Sequence, residues 1–168
     1  MNFEEVVKKR ESVRMFSDKE ISEELINKIL EYGRLAPTAK NLQPQKIYVV
    51  RSEEGLNKID GCSPCRYGAK TVLLVCADKN IVWTNGDKST IDMDASIVTT
   101  FMMLGATSLG VDTIWVKYFD EDKAKELFNL PDNIVPVCLM PMGYRKEEYQ
   151  GSMNHNNRKD LKETVEFV

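Results

Sequence analysis

Apolar residues recur at helical spacing in three stretches of the chain. Residues 2–11 place Phe3, Val6 and Val7 on one side of a short helix. Ser22 reads as an N-cap, and Glu23 and Glu24 suit the positive end of a helix dipole. Leu25, Ile26, Ile29 and Leu30 continue that helix, and Pro37 closes the region. From Asp92 to Leu109 a longer helix is predicted that is apolar nearly all round: Ile91, Ala95, Ile97, Val98, Phe101, Met102, Met103, Leu104, Ala106 and Leu109. Such a helix is buried on several sides, and in a small protein a second subunit can bury one of them. Gly110 is its C-terminal cap candidate. Residues 120–129 form a short polar helix.

Strands are predicted where β-branched residues cluster: Lys46–Arg51, Thr71–Ala77, Thr113–Tyr118 and Val135–Met140. The tail Glu163–Val168 alternates polar and apolar residues, as a strand does. Helices and strands mix without enough regular βαβ units for a doubly wound sheet, so the class is α+β.

Composition narrows the picture. The chain has 168 residues, about one domain's length, so 1–168 is expected to be a single domain. Apolar residues make up 42% and charged residues 29%, as in ordinary globular proteins. The net charge of −3 argues against a general nucleic-acid binder. No apolar run approaches the roughly 20 residues of a spanning helix, and no signal peptide is visible, so a cytoplasmic protein without a membrane partner is expected. Cys76 and Cys138 sit in apolar strand-like runs and read as core residues.

Two stretches carry candidate chemistry. Lys8 to Arg14 supplies Arg10, Ser12 and Arg14 at alternate positions, which share one side of an extended segment. Two guanidiniums and a hydroxyl match the oxygens of a phosphate. Alone, the stretch fits either an anion site or a solvated basic helix end. The second stretch, Ala36 to Pro44, combines small polar residues with two prolines. The Asn and Gln amides suit a heterocycle with an amide-like edge, while a helix-terminating loop explains the same residues.

Together these stretches resemble the FMN-dependent nitroreductase family. Its R-x-S-x-R/K-x-F pattern stands as Arg10, Ser12, Arg14 and Phe16. Its A-R-x-A-P-S-x-x-N-x-Q-P-W pattern reads Gly33-Arg34-Leu35-Ala36-Pro37-Thr38-Ala39-Lys40-Asn41-Leu42-Gln43-Pro44-Gln45. Asp92 and Leu109-Gly110 bound the apolar helix, and Ile114-Trp115, Gly143-Tyr144 and Arg158 follow in family order. The resemblance implies a mainly antiparallel sheet flanked by helices, in an intertwined homodimer with exchanged tails and two FMN sites at the interface. Arg10, Ser12, Arg14 and Arg158 would hold the FMN phosphate. Pro37, Thr38, Ala39 and Asn41 of the other subunit would line the flavin. Backbone groups near Lys117 and Tyr118 would face flavin N5. The implied activity is ping-pong hydride transfer from NADH or NADPH to a nitroaromatic, a quinone or a similar small molecule. Other flavin chemistry on the same fold, such as dehalogenation or dehydrogenation, and flavin binding with little turnover are the alternatives. No side chain is nominated as catalytic, and no metal is implied.

Three departures stand out. Glu11 replaces a frequent second arginine, and its side chain is expected to point away from the phosphate. Gln45 replaces the tryptophan. The region between Ala77 and Asp92, with Trp83, is a brief loop where larger members cover the site, which implies a more open pocket. Cys62 and Cys65 form a C-x-x-C pair without a second ligand pair for zinc. They read as two cysteines in a loop or, by family order, as oxidisable thiols near the flavin. His155, among asparagines, reads as a loop residue.

Overall fold

The computed structural model describes residues 1–168. Helix α1 (Phe3–Lys9) starts from a capping box in which Asn2 and Glu5 bond each other's backbone N–H. Helix α2 (Glu23–Arg34) starts at Ser22, whose hydroxyl accepts the Leu25 N–H. Strand β1 (Gln45–Val50) and helix α3 (Glu53–Cys62) follow, and then strand β2 (Thr71–Asp78). A small hairpin of β3 (Thr84–Asn85) and β4 (Lys88–Ser89) leads to α4 (Ile91–Ser108). Strand β5 (Asp112–Thr113), helix α5 (Glu121–Leu127) and strand β6 (Ile134–Gly143) complete the core.

The main sheet has the order β1-β2-β6-β5 and is antiparallel throughout. Strand β2 is central and buried on both faces. Leu73, Val75 and Ala77 belong to one core with Ile26 and Ile29 of α2 and Val98 and Met102 of α4. Val72, Leu74 and Cys76 belong to a second core with Leu56 and Ile59 of α3 and with Val13 and Phe16. The period of two along β2 thus sorts the helices onto the two faces. Burial pushes the Cys76 thiol up to about 12 and the Cys138 thiol to about 11, so both stay neutral. Helix α4 carries its polar residues into the core by bonding them to its own backbone. Thr99 Oγ1 donates to the Ala95 carbonyl at 2.7 Å, and Thr107 Oγ1 to that of Met103 at 3.0 Å. No helix is long and apolar enough to cross a membrane.

Four expectations are corrected. The run Thr113–Tyr118 is a strand only at its start, although the Ile114 and Val116 N–H groups still donate to the carbonyls of Pro141 and Leu139. Pro141 has no N–H to return, so the ladder breaks opposite Ile114. The tail is not a strand in the single chain. A 3₁₀ turn spans Leu161–Glu163, and the exposed residues behind it have no strand to pair with. Cys62 does not lie in a loop but ends α3, which starts at the overlooked cap Ser52. Residues 84–89 form the β3–β4 hairpin rather than a plain loop.

Helices α2 and α4 touch at Gly33, where an added Cβ would lie 2.7 Å from Met102 Cγ. Alanine favours a helix over glycine by about 1 kcal/mol. Gly33→Ala is nevertheless expected to destabilise by about 1–3 kcal/mol through overpacking. Thermal unfolding should show the melting temperature falling by roughly 2–10 °C. A rise would mean that Met102 yields without cost.

Candidate functional site

Residues 10–17 leave α1 as an extended segment stitched across the edge of the sheet. The Val13 N–H donates to the Thr113 carbonyl, and the Phe16 N–H to that of Tyr67. Val13 is buried, which turns its neighbours Ser12 and Arg14 the other way. The chain returns to the same place after β6. Tyr149 Oη donates to the Ser12 carbonyl at 3.1 Å, and His155 Nε2 lies 3.1 Å from the Lys8 carbonyl oxygen.

A recess of about 190 Å³ lies between the two segments. Arg10, Ser12, Arg14 and Arg158 all line it, together with Glu11, Ser152, Asn154 and His155. The chain has seven arginines. Arg34, Arg51, Arg66 and Arg145 each pair with a carboxylate. The other three make no ion pair, and all three line this recess. Burial, and then the neighbouring Arg158 cation, pull the Arg10 guanidinium below its ordinary value. Like charges that make no ion pair, beside a hydroxyl and apart from any apolar side chain, suit a multiply charged oxyanion.

The loop 37–41 lies elsewhere on the chain, at the start of α4. Lys40, Asn41 and Gln43 have φ of 50°, 56° and 52°. Left-handed backbone at such residues costs about 1 kcal/mol or more each and persists only where the surroundings impose it. They do so through Asp94, which is 1% exposed. Its Oδ1 accepts the Ala39 N–H at 2.8 Å, and its Oδ2 accepts the Thr90 hydroxyl at 2.7 Å. Thr38 Oγ1 accepts the Gln43 N–H at 3.0 Å. Position alone, in the first turn of α4, suits Asp94 to a helix-dipole partner or a cap, and its loop contact spans 55 residues.

Lys117 and Tyr118 form a third locality. Lys117 Nζ donates to Glu121 Oε1 at 2.5 Å and to the Val137 carbonyl at 3.0 Å, so its ammonium is engaged. The Lys117 and Tyr118 backbone N–H groups donate to no carbonyl of the chain. Tyr118 is 76% exposed, and its carbonyl accepts the Ser63 hydroxyl. Its side chain shares a recess of about 300 Å³ with Cys62, Pro64, Phe119 and Asp120. Burial pushes the Cys62 thiol up, which disfavours the thiolate that oxidation chemistry needs. A single chain therefore gathers Arg10, Ser12, Arg14 and Arg158, and leaves Pro37–Asn41 and Lys117–Tyr118 apart from them.

A family model described as the nitroreductase family matches residues 7–63 and 60–144. The chain belongs to the nitroreductase family. A crystal structure of a nitroreductase family protein from Clostridium difficile 630 is 41% identical, with a TM-score of 0.92 over 99% of this chain and 98% of that one. A relative in Methanothermobacter thermautotrophicus is 33% identical over 156 residues, 88% of this chain and 79% of its own. It is provisionally named an NADH dehydrogenase/NAD(P)H nitroreductase. A structure from Exiguobacterium sibiricum 255-15, provisionally a nitroreductase, is in complex with FMN. It is 22% identical with a TM-score of 0.86 over 100% of this chain and 98% of its own, a likeness of fold. The α+β architecture with an antiparallel sheet is thus a nitroreductase fold.

Asp94→Ala would leave the Ala39 N–H and the Thr90 hydroxyl without their acceptor. The expected loss is roughly 1–3 kcal/mol of stability, with faster amide exchange at Ala39. Unchanged exchange there would show that the loop holds its shape without Asp94.

Proposed function

We propose that this nitroreductase-family protein is an FMN-dependent NAD(P)H oxidoreductase, a single domain over residues 1–168 that works as a homodimer. The observation that carries the reading is the recess in which Arg10, Arg14 and Arg158, each without a carboxylate partner, meet the Ser12 hydroxyl. The donor set fits a phosphate monoester, which takes charge-assisted bonds from guanidinium forks and a neutral bond from a hydroxyl. The names of the relatives support the electron donor, and the FMN complex of the distant relative supports the cofactor.

A bound FMN supplies two-electron redox chemistry between a nicotinamide donor and a small conjugated acceptor, such as a nitroaromatic or a quinone. The residues of the chain bind and orient. Arg10, Ser12, Arg14 and Arg158 hold the phosphate and fix the register of the cofactor. Pro37, Thr38, Ala39 and Asn41, set by Asp94, line the flavin from the partner subunit. The open backbone N–H groups of Lys117 and Tyr118 would be free to bond the flavin on its N5 side. Donor and acceptor would meet the same flavin face in turn, in ping-pong order.

Surface chemistry supports the dimer. Phe3, 75% exposed, forms an apolar recess of about 340 Å³ with Val6, Tyr32, Phe101 and Leu104, on helices α1, α2 and α4. Covering it with a second copy is favourable by roughly 25 cal/mol per Å² of apolar area as an upper estimate. The tail carries Val165 and the 96% exposed Phe167. Strand β1 has one free edge, and tail exchange onto the partner would pair strand-patterned residues that are bare in the single chain.

The purified protein should elute as a dimer and carry or take up FMN, with anaerobic NADH or NADPH bleaching the flavin absorbance. Arg14→Ala should weaken FMN binding by about 1.5–3 kcal/mol. Undiminished binding would contradict the phosphate assignment. A protein that binds FMN but is bleached by neither nucleotide would favour a binding role.

A further inference from the structure

Glu11 places a carboxylate beside a recess built to attract anions. By charge alone it opposes the ligand. Its contacts show a different use. The side chain is 10% exposed. Oε2 accepts from Arg145 Nη1 at 3.0 Å. Arg145 is fixed in turn by Asp112 of β5, which accepts from its backbone N at 2.9 Å and from its Nη2 at 2.5 Å. Glu11 is thereby fastened to the edge of the sheet. Its other oxygen, Oε1, accepts the Ser152 N–H at 2.5 Å.

That bond fixes the turn where the chain heads back toward the recess. Gly151 has a φ of 81°, and a Cβ there would lie 3.0 Å from Glu11 Oε1, so the turn and the carboxylate fit each other closely. Beyond Ser152 the chain is mostly exposed, and its recorded bond back to the N-terminal segment is that of His155 to Lys8. Arg158 lies only six positions past Ser152 and bonds to its own loop, at the Asn154 and Asn157 carbonyls. Where Arg158 stands therefore depends on where Ser152 is held.

We propose that Glu11 is a positioning residue whose carboxylate clamps the Gly151–Ser152 turn to the sheet and so presents Arg158 to the anion recess. The inference rests on the phosphate reading of that recess. It explains how a residue that lowers the local positive charge can serve a phosphate site. Charge and clamp predict opposite signs: removing a repelling carboxylate tightens anion binding, whereas releasing Arg158 weakens it.

The test uses the full chain and its Glu11→Ala, Glu11→Gln, Arg158→Ala and Glu11→Ala/Arg158→Ala variants. Amide exchange is followed without ligand, and FMN is titrated by flavin fluorescence. Glu11→Ala should speed exchange at residues 151–158 and raise the FMN Kd about tenfold, the scale of one lost bond to a charged group. Glu11→Gln keeps one oxygen for the Ser152 N–H but sets its NH2 against the donors of Arg145, so it should recover only part of that loss. The double variant should bind no worse than Arg158→Ala alone, because Arg158 is the route of the effect. Gly151→Val disturbs the same clamp from the other side and serves if Glu11→Ala does not fold. Unchanged exchange at 151–158, tighter FMN binding by Glu11→Ala, or additive losses would each overturn the proposal. The exchange measurement needs no flavin. Faster exchange in Glu11→Ala alongside a wild type that ignores FMN would sustain the clamp and refute the cofactor assignment.

Discussion

The structure depends on holding three guanidiniums together without an ion-pair partner for any of them. Arg10, Arg14 and Arg158 come from the two ends of the chain and converge on one recess, while every other arginine is neutralised by a carboxylate. That arrangement opposes folding by repulsion, and the fold bears it through hydrogen bonds. Backbone hydrogen bonds fix residues 12–17 along the sheet, and the Tyr149, Ser152 and His155 contacts bring back the C-terminal segment. A ligand with two negative charges turns this repulsion into attraction, so the recess is organised before the ligand arrives.

Much of this was legible in the sequence because it is local. The alternation of Arg10, Ser12 and Arg14 needs only an extended backbone, which buried Val13 secures. The Ser22 cap and the strand at Thr71–Ala77 follow from nearest neighbours along the chain. What escaped notice is long-range. The partners of Glu11 lie 134 and 141 positions away, and the loop contact of Asp94 spans 55. Spacing along the chain carries no trace of such pairs. Helix α3 was missed for another reason. Gly55 and Gly61 lower its propensity, and its stability comes from packing Leu56 and Ile59 into the second core.

Two elements read wrongly for instructive reasons. The run after Thr113 has the β-branched character of a strand and keeps part of its bonding, but Pro141 in the facing strand interrupts the exchange. The tail has a strand pattern without a strand to join. Its exposed apolar residues, like those around Phe3, are intelligible once a second copy supplies the missing surface. In the proposed dimer the three separated localities of one chain would become parts of two shared sites, with the 37–41 loop of one subunit lining the flavin whose phosphate the arginines of the other would hold.

The central claim is that the three unpaired arginines serve a phosphate group. FMN and riboflavin share the ring and the ribityl chain and differ only in that group. Titrating the flavin-free protein with each therefore isolates its contribution. The account predicts that FMN binds at least about 100-fold more tightly than riboflavin, as two or more charge-assisted bonds would give, with the margin shrinking as salt rises. Equal affinities, insensitive to salt, would contradict it.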